Sequence, residues 1–230
     1  MKMIGLIGGM SWESSLEYYR LINEAVKERL GGLHSAKCVL YSVDFGDIEK
    51  MLAGGDWAGL EACLGEAGLS LKGSGADFLL ICTNTMHKLA EKVEERAGIP
   101  LLHIADAAAA EIRAAGLKKV GLLGTKFTME EAFYRKRLEE RFGIEVLIPG
   151  AGDRDFINSV IFNELCLGVK NEASRARFRE IIGNLVSGGA EGIVLGCTEI
   201  PLLVGQEDAK VPLFDTTKLH ALAAVEFALK

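Results

Sequence analysis

Short apolar runs alternate along the chain with longer stretches in which apolar residues recur every three to four positions. Residues 3–7, 36–43, 78–82, 101–104, 120–123, 145–148, 193–197 and 211–214 read as strands. Residues 14–30, 60–73, 86–97 and 132–142 read as amphipathic helices between them. Strands buried on both faces appear as continuous apolar runs, and helices alternating with them imply parallel sheets. Pro100 and Pro212 each sit at the mouth of a strand, where a missing N–H is tolerated.

The pattern repeats. Ile4-Gly5-Leu6-Ile7-Gly8 returns as Val120-Gly121-Leu122-Leu123-Gly124, and Tyr18 returns as Tyr134. Gly75-Ala76-Asp77 through Thr83 returns as Gly189-Ala190-Glu191 through Cys197, and Ile99-Pro100-Leu101 as Val211-Pro212-Leu213. A spacing of about 115 residues is too long for a solenoid and matches a duplicated domain. The expected fold is α/β: two similar, pseudo-symmetric domains, each a parallel sheet flanked by helices. The first covers residues 1–108 and the second 109–216, with the break near 106–117. A last helix, about 217–230, has no equivalent in the first half and is expected to pack back onto it.

Composition narrows the function. The formal charge is −6, and the nearest basic cluster, Arg135-Lys136-Arg137, is flanked by Glu130, Glu131, Glu139 and Glu140. A nucleic-acid partner is therefore disfavoured. The apolar start is too short for a secretory signal, and no run of about 18 apolar residues could span a bilayer. The expected setting is cytosolic, without a membrane partner. Cysteines 38, 63, 82, 166 and 197 are then free thiols, with no Cys-x-x-Cys pair among them.

Ligands of open parallel sheets bind beyond the carboxyl ends of the strands. Four such ends carry polar or glycine-rich turns: Gly8-Gly9-Met10-Ser11, Cys82-Thr83-Asn84-Thr85, Gly124-Thr125-Lys126-Phe127-Thr128 and Gly196-Cys197-Thr198-Glu199. If the domains face one another, one cleft receives all four. Cys197 ends a buried strand before a helix expected near Pro201, whose N-terminus lowers a thiol's pKa. A buried structural cysteine is the alternative, and Thr198, Glu199 and the repeat-mate Thr83 favour function. Alternation sets Thr83 toward the cleft and Cys82 beneath it. Thr85 reads as an N-cap for a helix carrying Met86, Leu89, Val93 and Ala97 on one face. His87 reads either as a general acid/base or as a hydrogen-bonded surface histidine. Cys82 and His87 lack further metal ligands at a recognisable spacing, so no metal is expected. The glycine turns match neither a dinucleotide fingerprint nor a Walker A loop, yet helix-start N–H groups bind carboxylates, and Thr125 and Thr128 add hydroxyls.

On these residues the chain resembles the aspartate/glutamate racemase family over essentially its whole length. That family carries Cys-Asn-Thr in its first half and Gly-Cys-Thr-Glu or Gly-Cys-Thr-His in its second. Gly196-Cys197-Thr198-Glu199 matches in full, and Glu199 favours the aspartate branch. Gly8-Gly9-Met10 and Gly124-Thr125-x-Phe127-Thr128 resemble the family's other two turns. The resemblance implies an amino-acid racemase that works without pyridoxal phosphate or metal, often as a homodimer. Two groups would stand on opposite faces of the substrate's α-carbon, Cys197 on one and Thr83 on the other. Asn84, Thr85, Thr125, Thr128 and Thr198 would surround the substrate carboxylate. Met10 and Ser11 would supply backbone contacts, and Glu199 would orient Cys197 or meet the substrate ammonium.

Two departures follow. Thr83 stands where the family carries a thiol, and an alcohol is far too weak an acid to rest as an anion near neutral pH. Thr83 would then relay a proton from water or His87. The segment Ser42-Val43-Asp44-Phe45-Gly46-Asp47 holds no cation where aspartate-specific relatives carry an arginine nearby, so the substrate is aspartate, glutamate or a neutral amino acid. The alternatives are another superfamily activity (maleate isomerase, hydantoin racemase or arylmalonate decarboxylase) and a non-catalytic amino-acid-binding protein.

Overall fold

A computed structural model describes all of residues 1–230. Two compact units divide the chain: Met1–Ile104 with His220–Lys230, and Ala105–Leu219. The elements run β1 (Ile4–Gly8), α1 (Trp12–Leu30), β2 (Cys38–Ser42), α2 (Phe45–Ala53), α3 (Trp57–Gly73), β3 (Phe78–Ile81), α4 (Ala90–Ala97) and α5 (Ile104–Ala114). There follow β4 (Lys119–Gly124), α6 (Lys126–Glu130), α7 (Ala132–Phe142), β5 (Glu145–Leu147), α8 (Ala151–Asn163), α9 (Glu172–Ser187), β6 (Gly192–Gly196), β7 (Leu213–Asp215) and α10 (Thr216–Leu229). No helix is long and apolar enough to cross a membrane.

The first unit's sheet has the order β2-β1-β3 and the second unit's the order β5-β4-β6-β7, all pairs parallel. Strand alternation divides the first unit's core into two layers. Phe78, Leu80 and Cys82 pack with Tyr18, Ile22 and Val26 of α1 and with Ala221, Ala224, Val225 and Ala228 of α10. Leu79 and Ile81 pack instead with Leu60, Leu64, Ala67 and Leu71 of α3 and with Ala90, Val93 and Ala97 of α4. Both sheet faces are therefore dry, which is why these strands read as unbroken apolar runs.

The repeat reaches the hydrogen bonds. The N–H of Leu79 donates to Pro100 O at 2.8 Å, and the N–H of Ile193 donates to Pro212 O at 2.9 Å. Before β3, Asp77 accepts from the N–H of Met3 at 2.5 Å. Before β6, Glu191 accepts from the N–H groups of Lys118 and Lys119 at 2.7 and 3.1 Å. Those two backbone bonds hold the Glu191 carboxyl below its ordinary pKa.

Several expectations need correction. The strand expected at 101–104 is a single bridge, Leu79 with Leu101, because the alanine-rich run from Ile104 prefers α5. The helix expected over 86–97 is a 3-10 turn, Thr85–Leu89, followed by α4. Thr85 lies inside that turn and does not cap it; Asn84 occupies the cap position. The segment taken as a loop around Ser42–Asp47 turns into α2 at Phe45, capped by Asp44, whose carboxylate accepts from the N–H of Gly46 at 2.8 Å. Helices α5, α8 and α9 were not among the expected elements.

Candidate active site

In the first unit, the turn after β1 is built on backbone that side chains resist. Gly9 has φ +88°, and a Cβ there would lie 2.2 Å from Val43 O and 2.5 Å from Val43 N. Ser11 is the chain's one non-glycine residue at positive φ, 126°. Such strain costs on the order of 1–3 kcal/mol and is offset where side-chain bonds fix the turn. Ser11 Oγ caps α1 by accepting from the N–H of Ser14 at 3.2 Å. Ser15 Oγ accepts from the N–H of Gly9 at 2.8 Å and donates to Ser11 O at 3.1 Å. Ser14 Oγ donates to Cys82 O at 3.0 Å, tying this turn to the end of β3. There Thr83 is half-buried, while Met10, Asn84, Thr85 and His87 are buried. His87 is thus no surface histidine: its Nδ1 lies 2.7 Å from Thr83 O. The structure brings Met10, Ser11, Thr83, Asn84, Thr85 and His87 to one carboxyl rim.

The second unit's rim follows β4 and β6. Thr125 caps α6, its Oγ1 accepting from the N–H of Thr128 at 3.3 Å and lying 3.1 Å from Thr128 Oγ1. Gly124 and Gly196 lie side by side; a Cβ on Gly124 would stand 2.9 Å from Gly196 O. Immediately beyond, Cys197 Sγ donates to Glu199 Oε2 at 2.9 Å and Thr198 Oγ1 donates to the same oxygen at 2.7 Å. Cys197 is 7% exposed and Glu199 5%. Thr125, Thr128, Cys197, Thr198 and Glu199 thus share the second rim.

One electrostatic expectation is overturned. No α-helix begins at Pro201; Ile200–Leu202 is a single 3-10 turn, too short to present a macrodipole to the sulfur. Burial, followed by the charge and hydrogen bond of Glu199, pushes the Cys197 thiol well above its ordinary pKa. The sulfur rests as S–H, with a carboxylate acceptor in contact.

Residues not singled out from the sequence also support these rims. Tyr18 bonds His220 at 2.8 Å inside the first unit. Thr216 Oγ1 donates to Leu195 O at 2.8 Å, one strand position before the Gly196-Cys197 turn. Asp208 fixes the loop after Glu199 by accepting from the N–H of Gly205 at 2.9 Å and from Arg175 and Arg179. The repeat of Tyr18 and Tyr134 was a signal for the first; the others depend on contacts between distant segments.

Two parallel-sheet units of matching strand order, one rim holding a thiol on a buried carboxylate, define an α/β protein with polar turns at the carboxyl ends of its strands. The chain belongs to the Asp/Glu/Hydantoin racemase family, whose model matches residues 7–224. A solved structure from Yersinia pestis, classed by name with the Asp/Glu racemases, is 55% identical with a TM-score of 0.95, both chains covered in full. An aspartate racemase homologue from Pyrococcus horikoshii OT3 is 36% identical with a TM-score of 0.87, again over 100% of both chains. The broad specificity amino-acid racemase RacX of Bacillus subtilis (strain 168) is 22% identical over 239 residues, covering 97% of this chain and 96% of RacX.

Proposed function

We propose that this protein interconverts the enantiomers of an amino acid by removing and redelivering the α-proton, without pyridoxal phosphate or metal. The observation that carries this reading is the hydrogen bond from Cys197 to Glu199, which joins a protonated sulfur to a base able to take its proton. Family membership supports it.

In the proposed cycle, Glu199 Oε2 accepts the Sγ proton as substrate binds, and the resulting thiolate removes the α-proton from one face. The carbanion is then protonated from the other face by the Thr83 hydroxyl, which is reprotonated in turn. In reverse, the Cys197 S–H delivers its proton and the Glu199 proton returns to sulfur. Hydroxyls and N–H groups of Asn84, Thr85, Thr125, Thr128 and Thr198 are assigned to the substrate carboxylate, where charge grows as the α-proton leaves. Met10 and Ser11 are assigned backbone contacts.

Thr83 makes the two directions unequal. Abstraction on its face calls for an alkoxide, which is costly near neutral pH. Enantiomers have equal free energy, so kcat/KM is the same from either side, and the asymmetry falls on kcat with KM compensating. Thr83→Cys is expected to raise kcat mainly from the poorly used enantiomer; an equal gain from both, or none, argues against this assignment.

The homodimer and the cytosolic setting belong to the same proposal. Trp12, Leu16 and Tyr19, spaced along one side of α1, are exposed apolar residues available to a partner copy. Sedimentation reads the dimer directly.

The test is a panel of L- and D-amino acids incubated with the protein and resolved by chiral chromatography. At least one pair should approach a 1:1 mixture from either side, and Cys197→Ala should abolish this. A panel without inversion, but with a ligand-dependent rise in melting temperature, would leave an amino-acid-binding protein in its place.

A further inference from the structure

The first unit gathers three of the chain's four histidines into one buried group. His87 is 3% exposed, His103 8% and His220 0%. The ring centroids of His87 and His103 are 4.6 Å apart, and those of His87 and His220 5.5 Å. The three come from the turn after β3, the segment before α5, and α10.

Their backbone partners fix two tautomers. A carbonyl oxygen only accepts, so His87 Nδ1 carries the hydrogen that meets Thr83 O at 2.7 Å. In the neutral ring Nε2 is then the basic nitrogen. His220 Nε2 likewise donates to Leu102 O at 2.8 Å, which leaves Nδ1 to accept from the Tyr18 hydroxyl at 2.8 Å. Both nitrogens of His220 are thereby engaged in its neutral form. A proton on Nδ1 would displace the Tyr18 bond and place a charge in a fully buried position.

We propose that His87 and His103 share one proton and supply it to the Thr83 hydroxyl, while His220 and Tyr18 hold the pair in place as a neutral support. This rests on the racemase reading. An alcohol cannot store charge of either sign near neutral pH, so Thr83 needs an acid and a base behind it. His87 is bonded to that residue's own carbonyl. Two imidazoliums this close repel, so the pair takes one proton, not two. When Thr83 O–H gives its proton to the carbanion, the oxygen recovers the Nδ1 hydrogen of His87, whose Nε2 takes up the proton of the pair, so that both rings end neutral. In the reverse direction His87 Nδ1 takes the hydroxyl proton as Thr83 receives the α-proton, and Nε2 returns its proton to the pair. Between turnovers solvent water returns a proton to the pair and takes the one left on Glu199. His87 and His103 act through Thr83 and are positioning residues, not groups that touch substrate.

His87→Asn separates the roles. Its amide N–H can replace the Nδ1–H bond to Thr83 O, but it has no titrating nitrogen. The assay follows one enantiomer in deuterated buffer and records α-proton exchange and inversion separately. The expected variant inverts about 100-fold more slowly. It still exchanges the α-proton with retention when that proton faces Cys197, and added imidazole restores inversion. Equal loss of exchange and inversion, or no loss, overturns the proposal. Nitrogen-15 spectra of the wild-type ring nitrogens supply a second measurement that does not depend on activity. They should show His220 as the Nε2–H tautomer and a single protonation shared by His87 and His103. Separate full protonation of both, or protonation of His220 first, overturns the arrangement. If the wild-type protein exchanges no α-proton, the racemase reading fails, and the supply role with it. The spectra then show whether the histidine geometry itself stands.

Discussion

Gly9→Ala tests whether the first rim is as tightly built as its geometry demands. An alanine at φ +88° carries about 1–2 kcal/mol of backbone strain. Its Cβ would sit 2.2 Å from Val43 O and 2.5 Å from Val43 N, both backbone atoms that no rotamer change can clear. The chain leaving β2 must therefore move, at the expense of the Val43 N–H bond to Gly8 O at 3.0 Å, worth about 1 kcal/mol. Loss of packing around Val43 brings the total to about 3–4 kcal/mol. Gly143→Ala is the control: φ is +67°, nothing lies within 4 Å of the added carbon, and only strain of about 1 kcal/mol is expected. For a chain of this size each kcal/mol lowers Tm by about 2–4 °C. Scanning calorimetry should therefore show a fall of roughly 6–16 °C for Gly9→Ala against about 2–4 °C for Gly143→Ala. Equal losses would refute the close approach of this turn to Val43.

Three further outcomes follow from the charges. Burial raises the pKa of Cys82, and burial with Glu199 raises that of Cys197, so both folded thiols keep protons that the unfolded chain releases above about pH 8.5. Their contribution is complete below that pH and is lost above it, by about 1.4 kcal/mol per pH unit for each thiol; urea midpoints between pH 7.5 and 9.5 should fall, and less steeply in Cys82→Ala. Glu199→Gln should lower kcat about 100-fold and make Cys197 react faster with a small alkylating reagent at pH 8, because one source of its raised pKa is gone. Burial pushes the Asp208 carboxyl up, but the Gly205 N–H, Arg175 and Arg179 outweigh it and hold the pKa below the ordinary value. Asp208→Asn should therefore cost about 2 kcal/mol at pH 7 and progressively less as pH falls below about 4, read from denaturation midpoints at each pH.

Much of the architecture was legible because it rests on local patterns. Continuous runs such as Phe78–Ile81 and Gly192–Gly196 are apolar at every position, since both sheet faces are covered. The repeated Pro100 and Pro212 mark equivalent backbone bonds to Leu79 and Ile193. The candidate rims were legible for the same reason, as polar turns at strand ends. What escaped depends on competition or distance. Pro201 fits a helix start, yet the backbone makes only one 3-10 turn, and Cys197 owes its protonation to burial and Glu199. Ile104 looked like the end of a strand, but the alanines after it carry it into α5. His103 meets His87 because the segment before α5 bridges β3 at Leu101, and His220 does so because α10 returns to the first unit's core, neither of which a local pattern of the three histidines reveals.

The sulfur at 197 is the group proposed to move the α-proton. The direct measurement is the rate at which a single enantiomer of the substrate loses its α-hydrogen to deuterated solvent, by proton NMR, for wild type and for Cys197→Ser. The wild type should exchange at the rate of turnover, and the serine variant, folded to the same melting temperature, about 100-fold more slowly or worse. Undiminished exchange in the serine variant would contradict the account.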